Sequence, residues 1–343
     1  MFLRMAGVML AAGAALVAVG PTHESVIRAQ SPTSAGRPNW RLPDEATGIT
    51  GIAQALISVF DHADILGLGE SHGRFNVDAD LRLAMVRHPD FAKKVRSIVI
   101  ECGSVTEQLT LDRNIRGETV PRVQLQRVWK ATEETTNGFC DAPIYADFLA
   151  AVRDVNSKLP AEARIRVLGG HPGPGSERGM ETVAASVLKE PVLQKHGKAL
   201  VIYGAAHFYR ALPASLASTM GENIGLARRL EANYPGRTLM VILVGRLDPP
   251  RGITGDIEPD FQKFDRALKA QVRPVLVPLH RLPFRDFTAE EFLGRTVMTC
   301  RGPGGCVSGF KGSTLTLGQM ADACIYVGGV AGVSKEATGT RRR

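Results

Sequence analysis

The chain has 343 residues, of which 44% are hydrophobic and 22% are charged. This balance is typical of a globular protein with a substantial core and excludes a disordered chain. The formal net charge is +8, but the basic residues are scattered apart from a terminal Arg341-Arg342-Arg343, and aromatic residues make up only 6%. A nucleic-acid binder needs a basic stripe or a stacking platform, so we expect no nucleic acid among the partners.

The amino-terminal 29 residues have the pattern of an export signal. Arg4 precedes an apolar run over residues 5–20, and small residues before Gln30 offer a cleavage site. An uncleaved anchor is the alternative, although an apolar run of 16 residues is short for a membrane span. The first cysteine is Cys102, so none lies near the cleavage region to carry a lipid. We therefore predict a periplasmic or secreted protein with no stable membrane span after removal of the leader.

Residues 30–46 are rich in Ser, Pro, Gly and Arg and predict a linker, and residues 331–343 predict a basic tail. Between them, apolar runs predict strands at 63–68, 97–101, 165–168, 200–203, 239–244, 275–279 and 324–327, the last at a sheet edge. Helical spacing predicts helices at 49–62, 77–87, 106–115, 144–157, 180–189, 224–232 and 260–268. We expect a single α/β domain over 47–330, with a mainly parallel central sheet between two layers of helices.

The segment 102–163 is longer than one crossover requires, and we interpret it as a helical insertion. It contains two of the predicted helices and lies between two core strands. A segment of this length between core strands usually covers a pocket or forms a subdomain. We expect substrate specificity to reside there.

Titratable side chains follow the predicted strands, at the point where each strand ends. In order along the chain they are Glu70 and His72, Glu101, His171, His207, Arg246 and Asp248, and finally His280 and Arg281. Ligands of open α/β sheets bind at the carboxyl ends of the strands. If the sheet is parallel, these groups converge and form a functional site.

Two imidazoles and one or two carboxylates support two kinds of chemistry. They can hold a divalent metal that keeps a position open for water, or they can activate water directly, with a carboxylate orienting the base. The residues that we assign to catalysis are Glu70, His72, Glu101 and His207. The residues that we assign to substrate binding are His171, Arg210, Arg246 and His280, where an arginine can also steady an oxyanion.

The motifs of nucleotide binding, of a serine nucleophile and of a zinc-type cysteine pair are incomplete or absent. Gly67-Leu68-Gly69 is part of a dinucleotide fingerprint, but Gly73 falls at the wrong interval, and no GxSxG nucleophile elbow is present. The chain has 5 cysteines, none in a zinc-type CxxC pair. Cys300 and Cys306 flank a flexible Arg-Gly-Pro-Gly-Gly loop, and we predict a disulfide between them. The pairing of the other three cysteines stays open.

An ordered set of motifs resembles the superfamily that unites erythromycin esterases, ChaN-like haem-binding proteins and Tiki/TraB proteins. The set comprises GESH at 69–72, the strand end Ile100-Glu101, QLTLD at 108–112 and GAAH at 204–207. The likeness in order and spacing extends from about residue 60 to about residue 210. It implies the three-layer fold that the strand pattern predicts.

The branches of this superfamily imply different functions. By resemblance to Tiki, a metal-dependent peptidase, His72, Glu101 and His207 would be metal ligands. By resemblance to ChaN, the chain would carry haem or iron in the cell envelope, with His72, His207 or Tyr209 as a ligand. The esterases use the corresponding histidine as a general base without metal, although their motif has one more residue before it.

We favour an exported hydrolase that acts on an ester or amide bond of a small molecule or peptide. The haem or iron carrier, which is not an enzyme, is the alternative. A third interpretation is a member that keeps the fold and only binds a partner. The sequence leaves open the substrate, the oligomeric state, and the choice between divalent metal, haem and neither.

Overall fold

The computed structural model describes residues 42–72, 76–132, 140, 143–213, 216, 225–245, 261–293, 298–300 and 306–329. The leader, most of the linker, Arg246 and the basic tail lie outside these ranges, and the expectations for them stay predictions. Every helix within these ranges is too short or too polar to cross a bilayer.

Most of the strands form one sheet of 8 strands in the order β1-β7-β10-β6-β2-β5-β3-β4. The strands are β1 (Ala46–Thr47), β2 (Ile65–Glu70), β3 (Ser97–Ser104), β4 (Arg166–His171), β5 (Ala199–Gly204), β6 (Thr238–Val244), β7 (Val275–Pro278), β8 (Met298–Cys300), β9 (Cys306–Ser308) and β10 (Ala323–Tyr326). All neighbours from β10 to β4 are parallel, while β8 and β9 form a separate hairpin. The predicted mainly parallel sheet is confirmed, with β2 in its interior.

Helices cover both faces of the sheet. They are α1 (Gly48–Val59), α2 (Asn76–Arg87), α3 (Phe91–Lys94), α4 (Gln108–Ile115), α5 (Arg122–Lys130), α6 (Pro143–Ser157), α7 (Met180–Leu188), α8 (Leu226–Asn233), α9 (Phe261–Ala267), α10 (Ala289–Leu293) and α11 (Leu317–Met320). Leu56, Met85 and Phe148 of α1, α2 and α6 belong to one core, and Leu230 and Phe264 of α8 and α9 to the other. This confirms the three-layer α/β architecture, because an all-apolar strand requires cover on both sides.

Two strands depart from the prediction. β7 runs antiparallel to β10, so its carboxyl end lies at the amino-terminal edge of the parallel strands. β10 lies between β7 and β6 and is not an edge strand. Strands buried on both faces have the same apolar pattern in either direction, so the sequence pattern does not reveal this reversal.

Gly67 and Gly69 of β2 allow a short 3₁₀ helix, Ala205–Phe208, to pack directly on the sheet. A Cβ atom at Gly69 would lie 2.9 Å from the Val241 carbonyl oxygen and 3.0 Å from Ala205 Cα. At Gly67 it would lie 2.6 Å from the Phe208 ring. The glycine pattern that resembles a dinucleotide fingerprint is therefore a packing surface for the 3₁₀ helix that carries His207.

Candidate active site

The carboxyl end of β2 turns sharply and presents Glu70 and His72. His72 has a positive φ of 55°, a conformation that non-glycine residues rarely adopt and that surrounding structure must maintain. The Ser71 backbone N–H donates to Asp78 Oδ2 over 2.6 Å, and the Ser71 hydroxyl contacts the same oxygen. Asp78 lies in the first turn of α2, so this helix fixes the turn that directs His72 into the site.

Glu101 lies on β3, where the pairing with β4 becomes irregular between Ile100 and Ser104. Such an irregularity redirects side chains relative to a regular strand. The Gly204 backbone N–H donates to Glu101 Oε2. Gly204 is the first residue of the GAAH motif, and a Cβ atom there would lie 2.8 Å from His72 Nε2. The glycine thus leaves the space that His72 occupies.

The side chains form a continuous series across the strand ends, which we call the histidine–carboxylate array: Glu70, His72, Glu101, His207 and Glu181. His72 Nδ1 lies 3.4 Å from Glu70 Oε1, and His72 Nε2 lies 3.8 Å from Glu101 Oε2. His207 Nε2 lies 3.3 Å from Glu101 Oε1, and His207 Nδ1 lies 2.9 Å from Glu181 Oε1. Each imidazole is therefore bracketed by two carboxylates, and Glu101 is shared.

Exposure separates the two kinds of residue in the array. The side chains of His72 and His207 are each 16% exposed, whereas those of Glu70, Glu101 and Glu181 are 3%, 2% and 1% exposed. The imidazoles can meet a substrate, and the carboxylates lie behind them. This is the arrangement of orienting carboxylates and reactive imidazoles.

The charges within the array shift the pKa values of both histidines upward. Burial lowers the pKa of His72, but the charge of Glu101 and the hydrogen bond with Glu70 outweigh it and raise the pKa to about 9. Burial also lowers the pKa of His207, but Glu101 and Glu181 together outweigh it and raise the pKa to about 10. Burial raises the pKa of Glu101, but the two neighbouring imidazoles dominate and lower it. The contacts of His72 with its two carboxylates, at 3.4 and 3.8 Å, are longer than those of His207, at 2.9 and 3.3 Å.

Two residues behind Glu70 complete the site. Arg82 of α2 is 1% exposed and forms an ion pair with Glu70 Oε2. Burial raises the pKa of Glu70, but this guanidinium and His72 lower it to about 2. The Tyr145 hydroxyl of α6 donates to Glu70 Oε1 over 3.2 Å and lies 3.4 Å from His72 Nδ1. Tyr145 lies in the segment 102–163, so this segment contributes a side chain to the site; its role in specificity stays a prediction.

Sequence reasoning missed Arg82, Tyr145 and Glu181. All three lie on helices, whereas the site was predicted only from titratable residues that follow strands. A weak signal exists for Arg82, which follows Leu81 and precedes Met85 on the face of α2 that packs inward. We find no comparable signal for Glu181. A charged residue in the first turn of a helix is expected to be exposed, but the side chain of Glu181 is only 1% exposed in the fold.

The structure does not bring two of the proposed substrate-binding residues to the array. Arg210 forms ion pairs with Asp322 at 2.6 Å and Glu231 at 3.1 Å, and it donates to the Thr238 carbonyl at the beginning of β6. This is the amino-terminal edge, roughly 16 Å from the strand ends for a strand of this length. His280 follows the reversed strand β7 and is exposed at that same edge. Both assignments are corrected, His280 because the strand direction was wrong.

His171 does end β4, at the edge of the sheet, and it is 2% exposed. Its Nδ1 atom accepts a hydrogen bond from the Gly173 backbone N–H over 3.0 Å, which fixes its orientation within the β4 turn. Its role in substrate binding stays a prediction, as does that of Arg246, which is outside the described residues.

The structure gives the pairing of the three cysteines that the sequence left open. Cys102, next to Glu101, forms a disulfide with Cys140, which lies 38 residues further along. Cys324 is a buried free cysteine. The backbone register of the β8–β9 hairpin places Cys300 opposite Cys306, and a disulfide between them stays a prediction.

One group of three side chains could hold a metal ion. Glu70, His72 and Cys102 each have one potential ligand atom, and these three atoms lie within 4.8 Å of one another. The ligand set implied by the Tiki resemblance is different. His72 and His207 contact opposite oxygens of Glu101, and among the described residues these three do not form a group whose ligand atoms all lie within 4.8 Å of one another. That arrangement does not fit a metal held by all three, and we derive no catalytic step through one.

The haem alternative loses one of its proposed ligands. Tyr209 is 0% exposed and its ring packs edge-on against Phe310 in the core. It therefore does not face the same space as the two exposed imidazoles. In the part of the chain that the structure describes, no observation supports haem.

Comparison with solved structures supports the fold at low sequence identity. A Bacillus cereus protein aligns with a TM-score of 0.51 and 14% identity, covering 82% of this chain and 93% of its own. A succinoglycan biosynthesis protein aligns at 0.55 and 10%, covering 84% and 94%. A mutant of the erythromycin esterase EreC in its open conformation aligns at 0.52 and 10%, covering 84% and 98%.

No protein-family model and no curated protein sequence matches the chain. The likeness to the solved structures is one of fold, and includes an erythromycin esterase. Function therefore has to be argued from the site.

Proposed function

We propose that this chain is a hydrolase that cleaves an ester or amide bond with water activated by the histidine–carboxylate array. The observation that carries the proposal is the pair of partly exposed imidazoles, each backed by buried carboxylates, on either side of Glu101. Acid–base hydrolysis requires one group that removes a proton from water and one that supplies a proton to the leaving group. The array offers both within one site.

His72 is the proposed base. Its Nδ1 atom faces Glu70, which leaves Nε2 toward Glu101 and the site. In neutral His72, Nδ1–H donates to Glu70 and Nε2 accepts a proton from the attacking water. Arg82 and Tyr145 hold Glu70 in place, so the orientation of the ring is fixed before the substrate arrives.

His207 is the proposed acid. Its contacts with Glu181 and Glu101, at 2.9 and 3.3 Å, are shorter than the contacts of His72 with its carboxylates, at 3.4 and 3.8 Å, and both of its carboxylates raise its pKa. It stays protonated when His72 is neutral. In that state it can stabilise the developing oxyanion or protonate the leaving group.

We also propose that the protein is exported and acts on a small molecule or a peptide. The Cys102–Cys140 disulfide is compatible with an oxidising compartment. Helix α6 of the insertion contacts the array through Tyr145, which supports the proposal that the insertion selects the substrate. The erythromycin esterase fold supports an ester substrate, but the identity of 10% does not specify which one.

Replacement of the base tests the proposal. We expect purified, chelator-treated protein to hydrolyse a member of a panel of aryl esters and peptides. His72→Gln lowers kcat/KM by about 10²- to 10⁴-fold, the usual contribution of a general base. His62→Gln is the matched control, because His62 is exposed and precedes β2 at the opposite edge of the sheet, and it leaves turnover unchanged.

The proposal fails if the folded wild-type protein turns over no member of the panel. It also fails if His72→Gln and His62→Gln hydrolyse the substrate at the same rate.

A further inference from the structure

The disulfide lies in direct contact with the proposed base. Cys102 follows Glu101 in the irregular part of β3, and its Sγ atom lies 4.0 Å from His72 Nδ1. A sulfur involved in a disulfide is a poor metal ligand, because the thiolate is the form that binds metals. In the oxidised protein, Glu70 and His72 are thus the only good donors of the three that converge here.

The distances among these donors are close to those of a tetrahedral zinc site. Glu70 Oε1 and His72 Nδ1 are 3.4 Å apart, and His72 Nδ1 and Cys102 Sγ are 4.0 Å apart. Ordinary zinc bond lengths and tetrahedral angles place such oxygen–nitrogen and nitrogen–sulfur pairs roughly 3.3 and 3.6 Å apart. The donor atoms of Glu70 and Cys102 lie within 4.8 Å of each other, whereas such an oxygen–sulfur pair around zinc is roughly 3.6 Å apart. Side-chain movement of about 1 Å or less would therefore let one ion contact all three.

The donors are also of the right chemical kind and are largely enclosed. Glu70 and Cys102 are buried, and His72 is partly exposed, which leaves a route for entry. Arg82 occupies Glu70 Oε2, and Oε1 faces His72. The Tyr145 hydroxyl, which donates to Oε1 and lies 3.4 Å from His72 Nδ1, has to turn aside when a metal binds. A thiolate, an imidazole and a carboxylate are the three ligand types that zinc accepts, with a fourth position for water.

We propose that reduction of the Cys102–Cys140 disulfide creates a zinc site from Glu70, His72 and Cys102, and that the disulfide closes it. This site differs from the row formed by His72, Glu101 and His207, because it uses the opposite nitrogen of His72 and a cysteine. With this site, the protein binds zinc when the disulfide is reduced and releases zinc when the disulfide forms again.

The chemistry balances with a dithiol as reductant. Two electrons and two protons from the dithiol cleave the S–S bond and yield two thiols, while the dithiol becomes a disulfide. Zinc then displaces the Cys102 proton and binds the thiolate. Because the metal and the disulfide compete for the same sulfur, bound zinc opposes re-oxidation.

Occupation of this site has a consequence that rests on the proposed function. A metal on His72 Nδ1 takes the lone pair of that atom and replaces its hydrogen bond with Glu70. The ring proton then lies on Nε2, so Nε2 cannot accept a proton from water. The reduced, zinc-bound protein is therefore inactive and the oxidised protein active. Metal binding itself does not depend on hydrolysis and is measured separately.

Two single substitutions distinguish the site from the general effect of losing the disulfide. Cys140→Ser and Cys102→Ser both remove the disulfide and both retain Cys300, Cys306 and Cys324. Only Cys140→Ser keeps the Cys102 thiol as a ligand. The probes are Zn²⁺ alone, by calorimetry, and Co²⁺ alone, by the absorption of a tetrahedral thiolate-bound ion.

We expect Cys140→Ser to bind one equivalent of metal without reductant and to show the thiolate-to-cobalt band. Cys102→Ser binds at least roughly a hundredfold more weakly, since loss of a ligand costs more than loss of an outer partner. Wild-type protein binds only after reduction. His207→Ala in the Cys140→Ser background retains binding, because His207 is not a ligand of this site.

Equal binding by Cys140→Ser and Cys102→Ser overturns the proposal, as does equal binding by oxidised and reduced wild-type protein. Loss of binding with His207→Ala also overturns it and assigns the metal to the other row of residues. Circular dichroism shows whether each variant is folded. All these measurements follow metal binding and not hydrolysis, so they can be interpreted even if the hydrolase proposal fails.

Discussion

At the scale of residues, the array works through a difference between two histidines in one electrostatic environment. His207 has two close carboxylates, at 2.9 and 3.3 Å, whereas the corresponding distances for His72 are 3.4 and 3.8 Å. Pairs of titratable groups whose surroundings separate their pKa values are the usual source of acid and base roles. On this ground we propose the ring with the longer contacts, His72, as the base and the ring with the shorter contacts, His207, as the acid.

This difference predicts an alkaline pH optimum for the metal-free, oxidised protein. The active form needs neutral His72 and protonated His207. Because the pKa of His72 is raised to about 9, kcat/KM rises roughly tenfold per pH unit until that value. It falls again above about 10, where His207 loses its proton. A profile that instead levels off near the ordinary histidine value of 6.5 contradicts the assignment of the base.

Several residues of the array could be predicted from the sequence because strand ends are visible in it. Glu70, His72, Glu101 and His207 follow apolar runs, and the fold brings all four together. Glu181 could not be predicted, because it comes from the first turn of a helix packed across the sheet. The Cys102–Cys140 pairing is equally hidden, since cysteine spacing does not determine connectivity.

At the scale of elements, the 3₁₀ helix that carries His207 depends on glycines in the neighbouring strand. It packs on β2 so closely that its backbone and the strand backbone leave no room for a side chain at Gly69. The sequence showed the glycines, but a glycine pattern alone does not tell whether a phosphate, a cofactor or another part of the chain approaches the backbone. The structure shows that the chain itself does.

We predict that Gly69→Ala lowers the free energy of unfolding by about 1–3 kcal/mol, the usual cost of overpacking. The added Cβ would meet two backbone atoms, which cannot move as a flexible side chain can. Gly51→Ala in α1 is the matched control. It has no atom within 4 Å of the new Cβ, and in a helix it is neutral or stabilising.

Urea unfolding measures both variants. A midpoint for Gly69→Ala that equals or exceeds the wild-type value would show that the strand and the 3₁₀ helix are not in close contact.

At the scale of the whole molecule, two different clusters of charged side chains lie at opposite ends of the sheet strands. The carboxyl edge holds the array, and the amino edge holds Arg210 with Asp322 and Glu231 in a buried ion-pair group. Asp322 also accepts from the Met240 N–H over 2.7 Å, so this group joins β6 to the start of β10. Arg210 thus belongs to the framework of the fold, whereas the array is the proposed catalytic site.

The architecture was largely predictable because long apolar runs and intervening helical patterns specify a covered, mainly parallel sheet. Strand direction and strand order were not. The β7 sequence is apolar throughout, and nothing in an apolar run encodes its direction. One reversed strand moved His280 from the predicted site to the far edge, which shows how a local prediction can be right and its position wrong.

The central claim is that His72 and His207 act as one catalytic unit around Glu101, and a double-mutant cycle tests it most directly. The measurement is kcat/KM for the wild-type protein, His72→Gln, His207→Gln and the double variant on the same ester. Residues that act as a unit are strongly non-additive, so the double variant should be about as slow as the slower single variant. If the two losses multiply, the histidines act independently and the account is contradicted.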